Sequence, residues 1–127
     1  MGGGSGRQAD SGRSRAGQTP HGEMTIQVQF TPRAESQVGE AALWWRTNRP
    51  AAPSLFEEEL TTALQLLSAL PDLGRRYSHP RVPGVRRLLM PRTRYHLYYV
   101  HDEQGRVVIV LALWSAVRGR GPALRKP

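Results

Sequence analysis

Residues 107–113 form an uninterrupted aliphatic run, VVIVLAL, which constrains the fold more than any other feature of this 127-residue chain. A strand that is apolar at every position is covered on both faces, because successive side chains point to opposite sides of a sheet. Even with Trp114 included, the run is far shorter than the ~20 residues that a membrane-spanning helix needs. The sequence therefore predicts a central β-strand with protein packed above and below it.

Three further segments are predicted to form strands, and the first and the last of them have the alternation of apolar and polar residues that is typical of half-buried strands. They are residues 24–30, 85–90 and 94–101. In the last of these, period-two alternation places Tyr95, Leu97 and Tyr99 on one face and Arg94, His96 and Tyr98 on the other. The turn residues that follow it end in Gly105, which can adopt the positive φ of a hairpin loop.

The chain between the first two strands has helical periodicity. Thr31 has the properties of an N-cap and is followed by a proline, and the first helix should end near Asn48. The second helix should begin within residues 50–54, where Ser54 and Glu57 have the spacing of a capping box. A PDLG segment ends it. Each helix has one apolar face, which predicts an αα-hairpin.

The order of these elements is strand–helix–helix–strand–strand–strand. It predicts an α+β fold: an antiparallel-dominated, four-stranded sheet with the αα-hairpin on one face. Residues 1–23 are rich in Gly and lack any aliphatic side chain larger than Ala after Met1, so we expect a disordered N-terminal extension. The folded domain should span residues 24–118, and residues 119–127 should form a flexible, basic C-terminal tail.

The charge of the chain is unevenly distributed. Residues 1–73 carry six arginines and eight acidic residues, whereas residues 74–127 carry twelve basic and two acidic residues. A strongly basic half indicates a polyanionic or acidic partner. The absence of cysteine excludes disulfides, thiolate zinc sites and cysteine nucleophiles.

Other site chemistry has little support in the sequence. His96 and His101 are five residues apart on a strand and should point to opposite faces, and Asp102 and Glu103 belong to a turn. Ser115 is not part of a G-x-S-x-G motif, and no phosphate-binding loop is present. We therefore expect neither a metal site nor a cofactor.

Six segments, taken in order, carry a family resemblance. They are 50–52 (PAA), 56–64 (FEEELTTAL), 70–75 (LPDLGR), 85–88 (VRRL), 95–99 (YHLYY) and 110–122 (VLALWSAVRGRGP). Together they resemble the RelE/ParE toxins of bacterial type II toxin–antitoxin systems, and the last is most similar to the ParE-like branch. The resemblance implies a cytoplasmic toxin that is neutralised in a heteromeric complex with a cognate antitoxin protein.

The resemblance leaves the target open, because the two branches share a fold. A ParE-like toxin inhibits DNA gyrase, stabilises plasmids and need not be an enzyme, and this is our leading interpretation. A RelE-like toxin is an endoribonuclease that cleaves messenger RNA on the ribosome. A third interpretation, outside the toxin class, is a non-toxic, basic nucleic-acid-binding module. None of the three requires a membrane.

The basic half supplies the residues that we expect to bind the target: Arg86, Arg87, Arg92, Arg94, Arg118 and Arg120. If the chain is a ribonuclease, Tyr98, His96 and Arg94 are the candidate catalytic residues, because they share a strand face and combine acid–base groups with a cation. Related toxins commonly have His after the tryptophan, where this chain has Ser115. Serine is a poor base at neutral pH, so this difference favours the gyrase interpretation.

The helices supply the residues that we expect to bind the antitoxin. Trp44 and Trp45 are adjacent, so only one of them can face the core fully. The candidate antitoxin contacts are Trp44, Leu43, Leu55 and Leu66. An exposed tryptophan is a frequent interface anchor.

Overall fold

The structure, a computed structural model, describes residues 26–127. The predicted N-terminal extension and the first two residues of the predicted strand 24–30 lie outside the described residues. The elements are β1 (Gln27–Phe30), α1 (Pro32–Asn48), α2 (Leu55–Ala69), β2 (Arg75–Arg76), β3 (Arg86–Met90), β4 (Tyr95–Asp102) and β5 (Val107–Ser115). The α+β class and the two consecutive helices are as predicted.

The sheet differs from the prediction in strand number and in one pairing. It has five strands in the order β1-β5-β4-β3-β2. β1 pairs parallel with β5, and the other pairs are antiparallel, so the sheet is mixed. The prediction of four strands missed β2, a two-residue strand whose side chains are both exposed. Such a strand has no alternation of buried and exposed residues that could reveal it.

The beginnings of the two helices differ in how they are capped. The Thr31 hydroxyl accepts a hydrogen bond from the Ala34 amide at 3.2 Å, which confirms the predicted N-cap of α1. Ser54 precedes α2 but makes no side-chain cap. Its hydroxyl instead donates to the Glu58 carboxylate at 2.8 Å, so the capping box that we predicted with Glu57 is wrong.

The face of the sheet that the helices cover is called here the front face. Its core joins apolar residues of both helices to those of β3, β4 and β5, and Phe56, Leu67, Leu97 and Tyr99 are fully buried in it. The Phe56 ring packs edge-on against Tyr95 with 5.3 Å between the centroids. This contact joins α2 to the beginning of β4.

The opposite side, the back face, carries a smaller core. It consists of Val82, Val85, Tyr98, Leu111, Ala112 and Leu124. Two of these residues come from the segment between β2 and β3, and Leu124 comes from the C-terminal segment. Strand β5 is therefore covered on both faces, as its aliphatic sequence predicted.

Glu59 on α2 fixes the turn between β3 and β4. Its carboxylate accepts hydrogen bonds from the Arg92 amide at 2.8 Å, the Thr93 amide at 2.9 Å and the Thr93 hydroxyl at 2.7 Å. The turn also contains Arg94, which has a φ of 65°. In the turn between β4 and β5 the positive φ belongs to Arg106 (54°), not to Gly105 as we expected.

Neither helix in residues 26–127 is long and apolar enough to span a membrane. The domain limits 24–118 and the flexibility of residues 119–127 remain predictions. Within that tail, Leu124 is buried against the back face, and the Arg120 carbonyl accepts a hydrogen bond from the Trp114 indole at 2.8 Å.

Candidate functional site

The back face brings polar and aromatic side chains of four strands into two rows. Strand pairing aligns Arg75, Arg87, Tyr98 and Ala112 in one row and Leu89, His96 and Trp114 in the next. Residues that are directly paired across antiparallel strands point to the same face. The sheet therefore collects two arginines, a histidine and an indole that are far apart in sequence.

Tyr98 lies in the floor of this surface and is only 2% exposed. Its ring packs edge-on against Tyr77 with 4.9 Å between the centroids, and its hydroxyl accepts a 3.4 Å hydrogen bond from Arg87. The Arg87 guanidinium also stacks over Tyr77, with its carbon 5.2 Å from the centroid of the ring. The alternation along β4 correctly predicted that Tyr98 lies on the same face of the sheet as His96. It did not reveal that Tyr77 covers the Tyr98 ring.

His96 is the partly exposed titratable group of the second row. Its pKa is lowered from 6.5, first by burial and then by the positive charges of Arg87 and Arg94. The imidazole is therefore neutral at neutral pH and can accept a proton. Arg94 is an exposed turn residue, and β4 begins at Tyr95. The prediction that Arg94 is the first residue of this strand is therefore wrong.

The end of β5 adds two more of the predicted target-binding arginines. The Arg118 guanidinium lies 4.3 Å from the centroid of the Trp114 ring, and the Arg120 carbonyl accepts from the indole N–H. Both arginines are exposed. The Ser115 hydroxyl accepts a hydrogen bond from the Val117 amide at 3.3 Å. This contact shapes the turn after β5.

Arg86 is separated from the other arginines, because it is paired with Tyr99 and so points to the front face. Its guanidinium donates to the carbonyls of Asp72 (3.2 Å) and Gly74 (2.9 Å). It also lies 3.6 Å from the Asp72 carboxylate. These bonds tie the segment after α2 to β3. Arg92, by contrast, is exposed at the β3–β4 turn.

The Gly74 amide in the same segment donates to the Tyr99 hydroxyl at 2.8 Å. A Cβ at Gly74 would stand 2.7 Å from that hydroxyl and 2.8 Å from the Arg87 carbonyl, so no larger residue fits there without a shift. Burial raises the pKa of Tyr99, and the Gly74 N–H bond partly offsets this effect. Tyr99 is therefore a core residue.

Three possible metal ligands meet near this segment, although their positions in the sequence do not indicate it. Ligand atoms of Asp72, His101 and Glu103 lie within 4.8 Å of one another, and the His101 Nδ1 is 3.0 Å from the Asp72 carboxylate. Asp72 follows α2, so its approach to β4 is not visible in the sequence. The Arg86 guanidinium beside Asp72 opposes the binding of a dication at this point.

The helical hairpin exposes large apolar side chains. Leu43 and Trp44 of α1 are 59% and 44% exposed, and Leu66 of α2 is 42% exposed. Leu55 is half-buried and packs against the front core. Trp45, next to Trp44, is buried. Leu43, Trp44 and Leu66 thus form an apolar helical surface, and its Trp44 lies near Trp114 and Arg118 at the edge of the back face.

Comparison with known proteins supplies the family. The sequence model of the ParE toxin of the parDE type II toxin–antitoxin system matches residues 28–118. No curated protein sequence matches the chain.

Solved structures of toxin–antitoxin systems share the fold. A chain of the chromosomal ParDE system of P. aeruginosa superposes with a TM-score of 0.58 at 15% identity, covering 73% of this chain and 98% of that one. A chain of the RelBE2 complex of Mycobacterium tuberculosis superposes with a TM-score of 0.52 at 20% identity, covering 72% of this chain and 98% of that one. A chain of the intact E. coli RelBE complex superposes with a TM-score of 0.50 at 19% identity, covering 73% of this chain and 99% of that one. With most of its described residues matched by one family model, the chain belongs to the ParE toxin family of type II toxin–antitoxin systems.

Proposed function

We propose that this toxin inhibits DNA gyrase in the cytoplasm, without being an enzyme itself, and that a cognate antitoxin neutralises it. The observation that carries the proposal is the burial of Tyr98 beneath Tyr77, with its hydroxyl held by Arg87. This burial leaves the back face rich in cations but poor in exposed acid–base groups. Such a surface can hold an anionic or acidic target.

Cleavage of RNA requires a base for the 2′-hydroxyl and an acid for the leaving oxygen. On the back face His96 can be the base, but its neighbours across the strands are Leu89 and Trp114, which provide no acid. Ser115 is a poor base and is engaged with the Val117 amide. Gyrase inhibition needs no such pair, because gyrase itself cleaves the DNA and the toxin only holds the broken complex.

The proposed target-binding groups are Arg87, Arg92, Arg94, Arg118 and Arg120. Arg87 lies on the back face, while Arg118 and Arg120 flank Trp114 at its edge. Arg86 is omitted, because its guanidinium is engaged with the carbonyls of Asp72 and Gly74. An arginine that already joins two segments of the fold has fewer donors to offer a partner.

The antitoxin is proposed to bind the helical hairpin through Leu43, Trp44, Leu55 and Leu66. Three of these side chains are exposed, and large exposed apolar side chains mark protein–protein interfaces. The P. aeruginosa, M. tuberculosis and E. coli structures are toxin–antitoxin systems or complexes, which supports a cognate antitoxin for this chain.

One observation favours ribonuclease activity as a second candidate function. The lowered pKa of His96 keeps its imidazole unprotonated beside Arg87, which is the state and setting that a general base needs. Messenger RNA on the ribosome would then be the target. The two candidates differ in what the substitution of His96 should do.

The test is gyrase-dependent DNA cleavage with purified toxin, gyrase and supercoiled plasmid. We expect the toxin to increase the yield of linear DNA trapped by detergent. Arg118→Ala combined with Arg120→Ala should raise the toxin concentration required by about tenfold, which corresponds to about 1.4 kcal/mol of binding free energy. Both side chains are exposed beyond the last strand, so the fold should be retained.

A matched control removes two exposed arginines elsewhere, with Arg33→Ala and Arg81→Ala. This control should retain full activity, and so should His96→Ala. An absence of trapped linear DNA, together with cleavage of ribosome-bound messenger RNA that His96→Ala abolishes, would replace gyrase inhibition with ribonuclease activity.

A further inference from the structure

A cleft of ≈ 720 Å³ lies between α1, the beginning of β4 and the end of β5. All three tryptophans of the chain, Trp44, Trp45 and Trp114, line it. We call it the tryptophan cleft. Its volume is within the range of small-molecule and cofactor pockets. The gathering of every indole at one place is not needed for the front core, which contains only Trp45.

The cleft offers flat, stackable surfaces. The Trp44 ring is 44% exposed and meets Trp45 edge-on, with 5.9 Å between their centroids. The Arg49 guanidinium lies 5.0 Å from the Trp44 ring centroid, and Arg118 lies 4.3 Å from that of Trp114. Indole and guanidinium planes are the surfaces on which proteins stack unpaired bases.

The charge of the cleft is positive. Arg49, Arg94 and Arg118 line it together with one carboxylate, that of Glu40. Among residues 26–127, no carboxylate lies within ion-pair distance of these three guanidinium groups. Arg94 is held by the turn, since its amide donates to the Met90 carbonyl and its carbonyl accepts from the Ala116 amide. Three cations that have no carboxylate partner among the described residues can neutralise phosphates.

We propose that the tryptophan cleft binds single-stranded nucleic acid, with bases stacked on the indole and guanidinium planes and phosphates paired with Arg49, Arg94 and Arg118. The proposal goes beyond gyrase inhibition, although the cleft shares Arg94 and Arg118 with the proposed gyrase-binding groups and Trp44 with the proposed antitoxin contacts. A double helix buries its base faces within its own stack, so only an unpaired strand can use the rings.

The lining favours a nucleic acid over an acidic peptide. A peptide segment that docks into a groove is anchored by apolar side chains in apolar pockets. The aliphatic part of this cleft is limited to Ala41, Leu113 and Val117, and the first two are buried. The exposed side chains of the cleft are those of Trp44, Arg49, Arg94 and Arg118, with Glu40 and Val117. Aromatic and cationic groups therefore predominate, which is the combination found in sequence-tolerant single-strand binding sites.

The test is a titration of the full chain with a ten-residue oligothymidylate, read by intrinsic tryptophan fluorescence. Because Trp44 and Trp114 line the cleft and Trp45 is buried beside them, stacking there should quench a large part of the signal in a saturable way. With three phosphates neutralised, log Kobs should fall with log salt concentration with a slope of about −2.

Two variants separate stacking from charge. Trp44→Leu should weaken binding by about 5- to 150-fold, as expected for the loss of one stacked base, and leave the salt slope unchanged. Arg49→Ala combined with Arg118→Ala should reduce the slope to about −0.7. The matched control with Arg33→Ala and Arg81→Ala has the same net charge and should bind like the parent.

Three results would overturn the proposal. Equal weakening by the control arginine pair would show that overall charge, and not the cleft, binds the strand. Equal affinity and quenching with a ten-base-pair duplex would show a general polyanion surface. Equal quenching by oligoglutamate would identify an acidic-peptide site. Binding to oligouridylate would support the site and identify RNA as a source, while binding to oligothymidylate alone would identify DNA.

Discussion

The two faces of the sheet are built in different ways. The front face is covered by two helices whose apolar side chains interlock with those of β3, β4 and β5. The back face is covered by the segment between β2 and β3 and by Leu124 of the C-terminal segment, and the rest of it carries arginines, a histidine and an indole. The comparison indicates that stability is concentrated on the front, whereas the back and its edges remain available for binding.

The largest expected effect is on the front core. Phe56→Ala should destabilise the fold by about 3–5 kcal/mol, because the ring is completely buried and removing it leaves a cavity beside Tyr95. Leu66→Ala on the same helix removes a side chain that is 42% exposed and should cost much less. Urea unfolding followed by circular dichroism measures both. Similar losses for the two variants would contradict the assignment of α2 as the cover of the core.

A smaller effect is expected on the back face. Leu124→Ala should destabilise by about 2 kcal/mol, at the lower end for a buried leucine, because the core of the back face is small and its surroundings can adjust. The exposed neighbour Arg125→Ala is the control and should have no measurable effect. Urea unfolding followed by circular dichroism measures the loss of stability in both variants. A loss as large as that of Phe56→Ala would show that the two faces contribute equally to stability.

The features of the fold that the sequence predicted depend on local patterns. The N-cap at Thr31, the two helices and the buried strand β5 each follow from residues close together in the chain. The parallel pairing of β1 with β5 does not, because it joins segments about 80 residues apart. Strand β2 escaped prediction because two exposed arginines have no periodicity.

The same distinction applies to the candidate site. Alternation along β4 predicted correctly that His96 and Tyr98 share a face. It could not predict that Tyr77, which follows β2, covers Tyr98, or that Asp72 and Gly74 engage Arg86. Sequence patterns report which way a side chain points. Which segment then packs on it depends on tertiary structure.

The last prediction concerns the electrostatics of the back face. In an NMR titration, the pKa of His96 should lie below 6.5, because burial and two arginines disfavour its protonated form. The pKa of His96 is lower in the folded state than in the unfolded state. The histidine therefore makes its full contribution to the stability of the fold above about pH 6.5. This contribution is lost as the pH falls through the folded-state pKa.

Arg87→Met removes one of these charges while keeping an aliphatic chain over Tyr77, so it should raise the pKa of His96. The pKa should still stay below 6.5, because burial is the larger cause. Arg33→Ala, at the beginning of α1, should leave the titration unchanged. A return of the pKa to 6.5 or above in Arg87→Met would mean that charge, and not burial, controls His96. The back face around His96 would then be more accessible to solvent than its packing indicates. The two faces would differ more strongly in how well they exclude water.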